Sequence, residues 1–595
     1  MNLTDILNRY QPNSLQALAR LCGQSPATAT DAADLVRRIA GVMTSPAGLQ
    51  RQWSQLDDLS RKAVSLAAHN NGEFDAQVFV ARYGRLPERP PAKYAWQPVA
   101  IGLDLFLHYN RIPDDLLPLL EAWVPRPEPF QITGVTRAPE TTIVKGRPLA
   151  LRRADTEQAG LHDLATLLRL AEDGALFVSS STQMPTRGAV KQLLPLLHNG
   201  DFLELPADFK AADAIRPVGL TAFAIGGGLV EISGGGPHDR LWPTEAGRAW
   251  LRSQDPALLL EAFERWTTSA GFDELARVRA IRGQRAIGAS LSQPGNRREK
   301  IIEALSWCPV GVWIDVEDFF RAVLIWHFNF DAHEANFTWR NTLSIGREPV
   351  SSTTHWRAVN GLNILAVLWD RLASIGALDI LYLPPETAGY DAHVYYPDAP
   401  YFSLCDGLKY FRINGLGAYL LGQHAEFGPP RTTGPYLVIE RLAGYSQGMP
   451  ASETFVLEIH ASVQVSAADQ LALGQVAEPQ GERRFQISLE SLLAALERGH
   501  DLDASLAFLA EKSTRPLTPE LALLFADALG RSKAFATPEP ALFVEARTAE
   551  IAQLVMQDPK LKRICKLVGD RTIALPASRR TTLRTRLREL GYLLP

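Results

Sequence analysis

Chemistry at a protein site needs particular residue types at particular spacings, and this chain offers few such arrangements. A phosphate-cradling loop needs GxxxxGK[ST], whose backbone N–H groups and lysine surround the phosphates, and no such run occurs. The glycine runs Gly226–Gly228 and Gly234–Gly236 lack a following Lys-Ser/Thr; they are expected at a helix end and a loop tip, where glycine supplies backbone freedom. The densest gathering of possible metal ligands is WHFNFDAHEANF, with His327, Asp331, His333 and Glu334. Metal ligands must converge on one face. These trail an apolar helix among aromatics, which predicts a loop packed over a core. Asp315, Glu317 and Asp318 in DVEDFF fall at a helix start, where acids favour the N-terminal dipole. No catalytic residue, metal or cofactor is expected, and the reading is of a protein that is not an enzyme.

What remains is charge. Neutralising phosphates needs clustered Lys and Arg, and two clusters qualify. The first is Arg277, Arg279, Arg282, Arg285, Arg297, Arg298 and Lys300. The second is Lys560, Lys562, Arg563, Lys566, Arg571, Arg579, Arg580, Arg584, Arg586 and Arg588, nearly unopposed by acids. The alternative for both is a solvated basic face that balances acidic stretches elsewhere. Net charge over 595 residues is only −4, so contact with nucleic acid must come from such patches rather than from a global field.

The bulk composition sets the frame for these clusters. With 46% hydrophobic and 21% charged residues, the chain can build several ordinary cores. Cys22, Cys308, Cys405 and Cys565 are far apart and lack ligand or disulfide spacing, which fits a reducing compartment. MNLTDILNRY pairs no cationic segment with an apolar run, and no apolar stretch reaches the ~18 residues of a membrane span. A cytoplasmic protein without membrane contact is expected.

The elements that must position the charges follow one order three times. LDDLSRKAVSLAAHN predicts a helix, GEF a strand, a second helix opens at Asp75, and PVAIGLDLFLHYN predicts a third before a short strand near Arg111. Helix, strand, helix, helix, wing is the winged-helix order; a plain helical bundle is the alternative. The order recurs from LHDLATLLRLAEDG to EAGRAWLRS, and again from RREKIIEALSWC through HWRAVNGLNILAVLWDRLASIG to YFRINGLGAYLLG. LWPTEAGRAWL and YFRINGLGAYLL share a strand, a turn, Gly, a small residue, an aromatic and Leu, which marks the copies as related. The third helices of the first and third copies are poor in cations: PVAIGLDLFLHYN has none, and HWRAVNGLNILAVLWDR has Arg357 and Arg371. Sequence-specific base readout is therefore not expected. Beyond a Gly/Pro joint, TFVLEIHASVQVS alternates like a hairpin, and helices with caps at Ser488 and Thr518 follow. ALFVEA reads as a strand, LKRICKLVGDRTIAL as a hairpin, and ASRRTTLRTRLRELGYLL as a basic helix with a Leu583, Leu587, Leu590 stripe.

The hairpin TFVLEIHASVQVS, the run RFQISLESLLAALERGHDLDASLAFLAEKSTRPLTPELALLFADAL and the continuation ALFVEARTAEIAQLVMQDPKL resemble bacterial helicase-associated proteins. In that family this region is similar to the amino-terminal domain of XPB-type helicases. LTDILNRYQPNSLQALARL and WSQLDDLSRKAVSLAAHN also look like that family's amino-terminal half, and the layout is similar to the TFIIH subunit that clasps XPB. The resemblance implies a helicase partner and supplies no catalytic residue.

The resulting expectation is a multidomain fold, mainly α with small β wings: tandem winged-helix domains plus a C-terminal α+β domain. Residues 1–124 form a helical region and first winged helix, 125–158 a linker, 159–284 the second winged helix, 285–423 the third with a long wing, 424–451 a linker, and 452–595 the α+β domain. The expected role is an accessory protein in DNA repair or anti-phage defence. It touches single- or double-stranded DNA without sequence preference and docks a helicase encoded nearby. Arg282, Arg285, Arg297, Arg298, Lys300, Lys562, Arg563, Lys566, Arg579, Arg580, Arg584 and Arg588 are the candidate contacts to DNA or partner. A winged-helix transcriptional regulator and a purely structural subunit of a defence complex are the alternatives.

Overall fold

The computed structural model describes residues 1–26, 31–91, 99–234, 238–282, 291–332, 343–345, 348–350, 355–389, 401–428, 434–442, 453–463, 465–535 and 540–594. The chain divides into two compact units. The first comprises Met1–Val438, Glu458–Gln475 and Gly481–Arg483; the second comprises Ile439–Leu457, Val476–Gln480 and Arg484–Pro595.

The first unit opens with helices α1 Leu3–Leu7, α2 Pro12–Leu21, α3 Ala32–Met43, α4 Pro46–Gln55, α5 Asp58–Ala68, α6 Ala76–Tyr83 and α7 Leu117–Glu121. Their starts are written locally. Asp31, Ser45, Asp57 and Asp75 each accept a backbone N–H of the first turn, and Pro46 occupies the start of α4. These helices bury Leu15, Leu18, Ile39, Met43, Phe79 and Phe106 in a core of their own. PVAIGLDLFLHYN, expected as a helix, forms only the 3-10 turn Gly102–Leu105 within its described part.

Strands β1 Thr141–Val144 and β2 Arg147–Ala150 then pair as a hairpin, and β3 Arg152–Ala154 follows. The second copy supplies α8 Glu157–Glu172, β4 Phe177–Ser179, α9 Arg187–Leu193, α10 Arg216–Gly226, β5 Val230–Ser233, β6 His238–Pro243, α11 Glu245–Ser253 and α12 Pro256–Thr268. A short strand, β7 Ile281–Arg282, leads to the third copy, α13 Pro294–Ser306, β8 Ile314–Asp315 and α14 Val316–Ile325, with β9 Leu343–Ile345 and β10 Glu348–Val350 beyond. The helix α15 runs as Arg357–Gly361, Leu362–Leu365 and Ala366–Ala373, its outer stretches with π-type hydrogen bonding. Then come β11 Leu378–Tyr382, β12 Leu408–Ile413 and α16 Gly415–Leu420.

The copies share one sheet topology. In the second, the strands lie in the order β4-β6-β5, and in the third, β8-β12-β11, so the third strand sits between the first and second. The first copy reduces this to bridges, Glu73 to Arg111 and Arg111 to His108. The repeated ending also has one physical cause. Thr244 and Asn414 cap α11 and α16 by accepting from Gly247 N–H and Gly417 N–H. A Cβ on Gly247 would lie 2.1 Å from the Leu229 carbonyl oxygen, and one on Gly417 2.0 Å from that of Ala377. Each glycine lets its helix rest on the residue just before the copy's second strand.

The stretch 125–158, expected as a linker, carries β1, β2 and β3, and β3 pairs with β11 as the outer strand of the third copy's sheet. The second and third copies share a single hydrophobic core. Helices α10 and α15 meet backbone to backbone, because a Cβ on Gly219 would fall 1.8 Å from the Asp370 carbonyl oxygen. Both helices are buried along almost their whole length.

In the second unit, β13 Leu437–Leu442, β14 Thr454–Ile459, β15 Glu478–Pro479 and β16 Arg484–Ile487 form a sheet in the order β13-β14-β16-β15. TFVLEIHASVQVS is thus not a self-paired hairpin. TFVLEI is one strand that finds its partners in β13 and β16, and β13 arises from the other expected linker, 424–451. Helix α17, Ala467–Val476, lies between β14 and β15 in sequence and, up to Gln475, belongs to the first unit. Helices α18 Leu489–Glu497, α19 Leu502–Lys512 and α20 Pro519–Ser532 follow. Ser488 and Thr518 cap α18 and α20 as expected. The chain ends with β17 Ala541–Glu545, α21 Ala549–Gln557, β18 Lys566–Val568, β19 Thr572–Pro576 and α22 Arg580–Glu589, the strands ordered β17-β19-β18. Among the described residues no helix is long and apolar enough to cross a membrane.

Packing and burial have two measurable consequences. Gly219→Ala places a methyl group against backbone that cannot rotate away, so it should cost the upper part of the ~1–3 kcal/mol typical of overpacking, or more. Gly530→Ala, in α20 with open space around it, should be neutral or stabilising by up to ~1 kcal/mol; urea melts of the two variants check the contrast. The second concerns Asp406, in the buried turn before β12. Its Oδ2 accepts Phe402 N–H at 2.8 Å, and Oδ1 has no partner among the described residues. Burial pushes its pKa up to about 7. The folded protein then keeps a proton that the unfolded chain sheds above its ordinary pKa of ~3.9. Stability should fall as pH rises from about 4 to 7, by at most ~1.4 kcal/mol per pH unit, and level off above. Asp406→Asn should remove its share of that decline in melts recorded across this window, leaving the share of Asp163, whose carboxyl burial pushes up to about 6.

Candidate nucleic-acid interface

The two basic clusters have opposite fates. In the first, the connector ELARVR turns inward. Arg277 Nε lies 2.7 Å from Asp370 Oδ2, and its Nη atoms donate to the carbonyls of Ala212 and Ala214 at 2.9 and 2.8 Å. Arg371 bridges Asp370 at 2.9 Å and Glu274 at 3.2 Å. Arg298 meets Glu274 at 3.0 Å and donates to the carbonyls of Trp266, Ser269, Gly271 and Phe272. Arg297 pairs with Asp273 and Ser292. Arg297 and Arg298 are 1% and 0% exposed. Burial works against the Arg298 charge and pulls its pKa down, with Glu274 opposing the shift. Burial also works against Arg371, but Asp370 and Glu274 more than offset it and raise its pKa.

These arginines are internal struts, so Arg297 and Arg298, expected at an interface, are out of reach of any phosphate. Their consumption by acids has a sequence signal in retrospect: Asp273-Glu274 precede the arginines, and Asp370-Arg371 stand inside the otherwise apolar stretch ILAVLWDRLA of α15. Arg279 pairs with Asp213. Arg282 contributes backbone to β7, paired with Ser344, and Arg285 lies outside the described residues. Lys300 is at the surface, 3.3 Å from Glu303 and over the Phe328 ring. In the His/acid segment expected as a loop over a core, His327 is exposed at a positive φ of 61°, while His333 and Glu334 lie outside the described residues.

The second cluster stays in water. Lys562, Arg563, Lys566, Arg579, Arg580, Arg584 and Arg588 are all exposed, and none has an ion-pair partner among the described residues. Arg586 differs, since it joins Asp558 at 2.9 Å and Glu589, and Arg571 reaches Glu545 at 3.4 Å. The scaffold beneath is small. Leu583 and Leu587 of α22 pack on Ala552, Val555, Ile573 and Leu575, with Leu542, Val544 and Leu590 at the margin. Residues 540–594 hold eleven Lys and Arg against five Asp and Glu, a net of +6 within a chain of −4.

The charge at the start of α22 opposes local helix stability, whereas Arg586 and Arg588, in its last turn, favour it. Helix α22 has no acid in its first turn and no side-chain cap, and Arg579 and Arg580 stand at its start. Cations there face the positive end of the helix dipole, at a typical cost of ~0.3–1 kcal/mol each. Arg580, Arg584 and Arg588 repeat at i,i+4, where like charges repel.

Sequence reading missed two features. Phe543 is 64% exposed in β17, signalled only by its place between the inward Leu542 and Val544. The run GYSQG, Gly444 to Gly448, has nucleophile-elbow spacing and lies outside the described residues.

The fold and this surface define a multidomain, mainly helical protein with small β-sheets and a cationic segment at residues 540–594. No family model matches the chain, and no curated protein matches it.

The fates of the two clusters can be separated by stability. Arg298→Ala should leave Glu274 short of a partner and cost roughly 3–5 kcal/mol, as breaking a buried pair does. Lys300→Ala should change stability by no more than ~0.5 kcal/mol. Chemical denaturation of both variants checks this.

Proposed function

We propose that this chain is a non-catalytic accessory protein that engages DNA through its phosphates, without sequence preference, and docks a partner helicase through residues 452–595 in DNA repair or anti-phage defence. The observation that carries the DNA part is the set of exposed cations on residues 540–594 without an ion-pair partner among the described residues, Arg579 and Arg580 among them held at a cost to the start of α22. Clustered Lys and Arg displace counterions from nucleic acid, and an isolated solvated helix gains nothing from such an arrangement. The helicase part rests on the resemblance of 452–595 to the amino-terminal domain of XPB-type helicases. In this reading the three copies are winged-helix modules used for packing. Base readout by a winged helix places its third helix in the major groove, whereas α10 and α15 are buried against each other. That burial disfavours a sequence-specific regulator. The non-catalytic part is checked at Ser446: labelling of the native protein by a fluorophosphonate, lost in Ser446→Ala, would overturn it.

Arg580→Glu, Arg584→Glu and Arg588→Glu combined should leave the melting transition nearly unchanged, because the three side chains are exposed. The same variant should weaken DNA binding at least tenfold at moderate salt. It should also flatten the log Kd against log salt plot by roughly 0.7–0.9 per lost phosphate contact. A folded triple variant with unchanged affinity and salt slope would end the DNA reading of this surface.

A further inference from the structure

The sheet β17-β19-β18 has two unlike faces. One is covered: Leu542, Val544, Ile573 and Leu575 point into the core shared with α21 and α22. On the other, Phe543 is paired across β19 with Ala574, and Ala574 with Lys566 of β18. Directly paired residues in an antiparallel sheet project to the same side, so Phe543, Ala574 and Lys566 form one row. Phe543 is 64% exposed and Val568, in the adjacent row, is 49% exposed. A single exposed apolar side chain is ordinary. Here the small Ala574 leaves a floor beside the ring, and Lys566, a cation without an ion-pair partner among the described residues, stands at the far end. Two inter-strand steps of ~4.8 Å separate the outer strands, a span that one base and a neighbouring phosphate can cover.

We propose that this open face binds single-stranded nucleic acid, with a base stacked on Phe543 and a phosphate held by Lys566. An aromatic ring accepts the π-face of any base, and nearby cations hold the backbone without reading sequence. In a duplex the base faces are already stacked on one another, so the ring has nothing to receive. The face therefore selects unpaired strands, while the remaining cations of residues 540–594 attract either form. The inference rests on the DNA reading above and adds strand selectivity to it.

The test uses the full chain and a fluorescein-labelled oligodeoxythymidylate of about 20 nucleotides, longer than the ~4–16 that a small single-strand fold covers. A duplex of the same length is the comparison. Phe543→Ala should weaken oligothymidylate binding about tenfold, within the range of one lost base–aromatic stack, and leave duplex binding within about twofold. Phe543→Trp should restore the affinity, and its added fluorescence should be quenched by the oligonucleotide.

The opposing outcomes are distinct. Unchanged oligothymidylate affinity in Phe543→Ala overturns the stacking proposal, and so does an equal loss on both nucleic acids. The DNA reading survives either result if the α22 charge reversal still weakens both. A change in sedimentation of Phe543→Ala without a change in binding would mark the face as a contact between copies and overturn the proposal. Wild-type protein that binds neither nucleic acid sinks both readings.

Discussion

The first unit depends on one contact: α10 and α15 touch backbone to backbone at Gly219, and the charges beside that contact are neutralised internally. A helix that approaches another this closely gives up its solvent face, so the charges on its buried part, Asp370 and Arg371, need partners inside. Asp370 and Arg371 do so through Arg277, Glu274 and Arg298, which in turn fix the connector between the second and third copies. Such a network contributes little net stability relative to apolar packing. It does make the arrangement specific, because any displaced register strands a buried charge.

That arrangement also separates the labour between the units. Where a winged helix would present its third helix to DNA, the second and third copies present theirs to each other. Exposed cationic charge is concentrated elsewhere, on residues 540–594 of the second unit, which form three short strands and two helices. There the apolar residues are barely sufficient to close one side of the sheet, and cations crowd the solvent face of α22. The opposite face of the sheet stays open, which is why Phe543 and Lys566 remain accessible. The large core and the cationic unit thus answer different demands, one of shape and one of charge.

The sequence by itself determined what is local. Caps at Asp75, Ser488 and Thr518 are legible because a short polar side chain and the N–H groups it satisfies lie within three residues. The recurrence around Gly247 and Gly417, the β18–β19 hairpin and the leucine stripe of α22 are legible for the same reason. Short-range geometry leaves few alternatives to them. Tertiary structure alone decided which partners each segment found. TFVLEI became a central strand between β13 and β16 rather than half of a hairpin, and β3 left the expected linker to complete a distant sheet. Most of all, two basic clusters of similar density diverged. One sits beside acids that folding brings within 3 Å, from Asp370 some 90 residues away as well as from Glu274, while in the other only Arg571 and Arg586 have an ion-pair partner among the described residues. Charge density is a property of the sequence; whether a charge is spent inside or offered outside depends on long-range pairing, which no local pattern encodes.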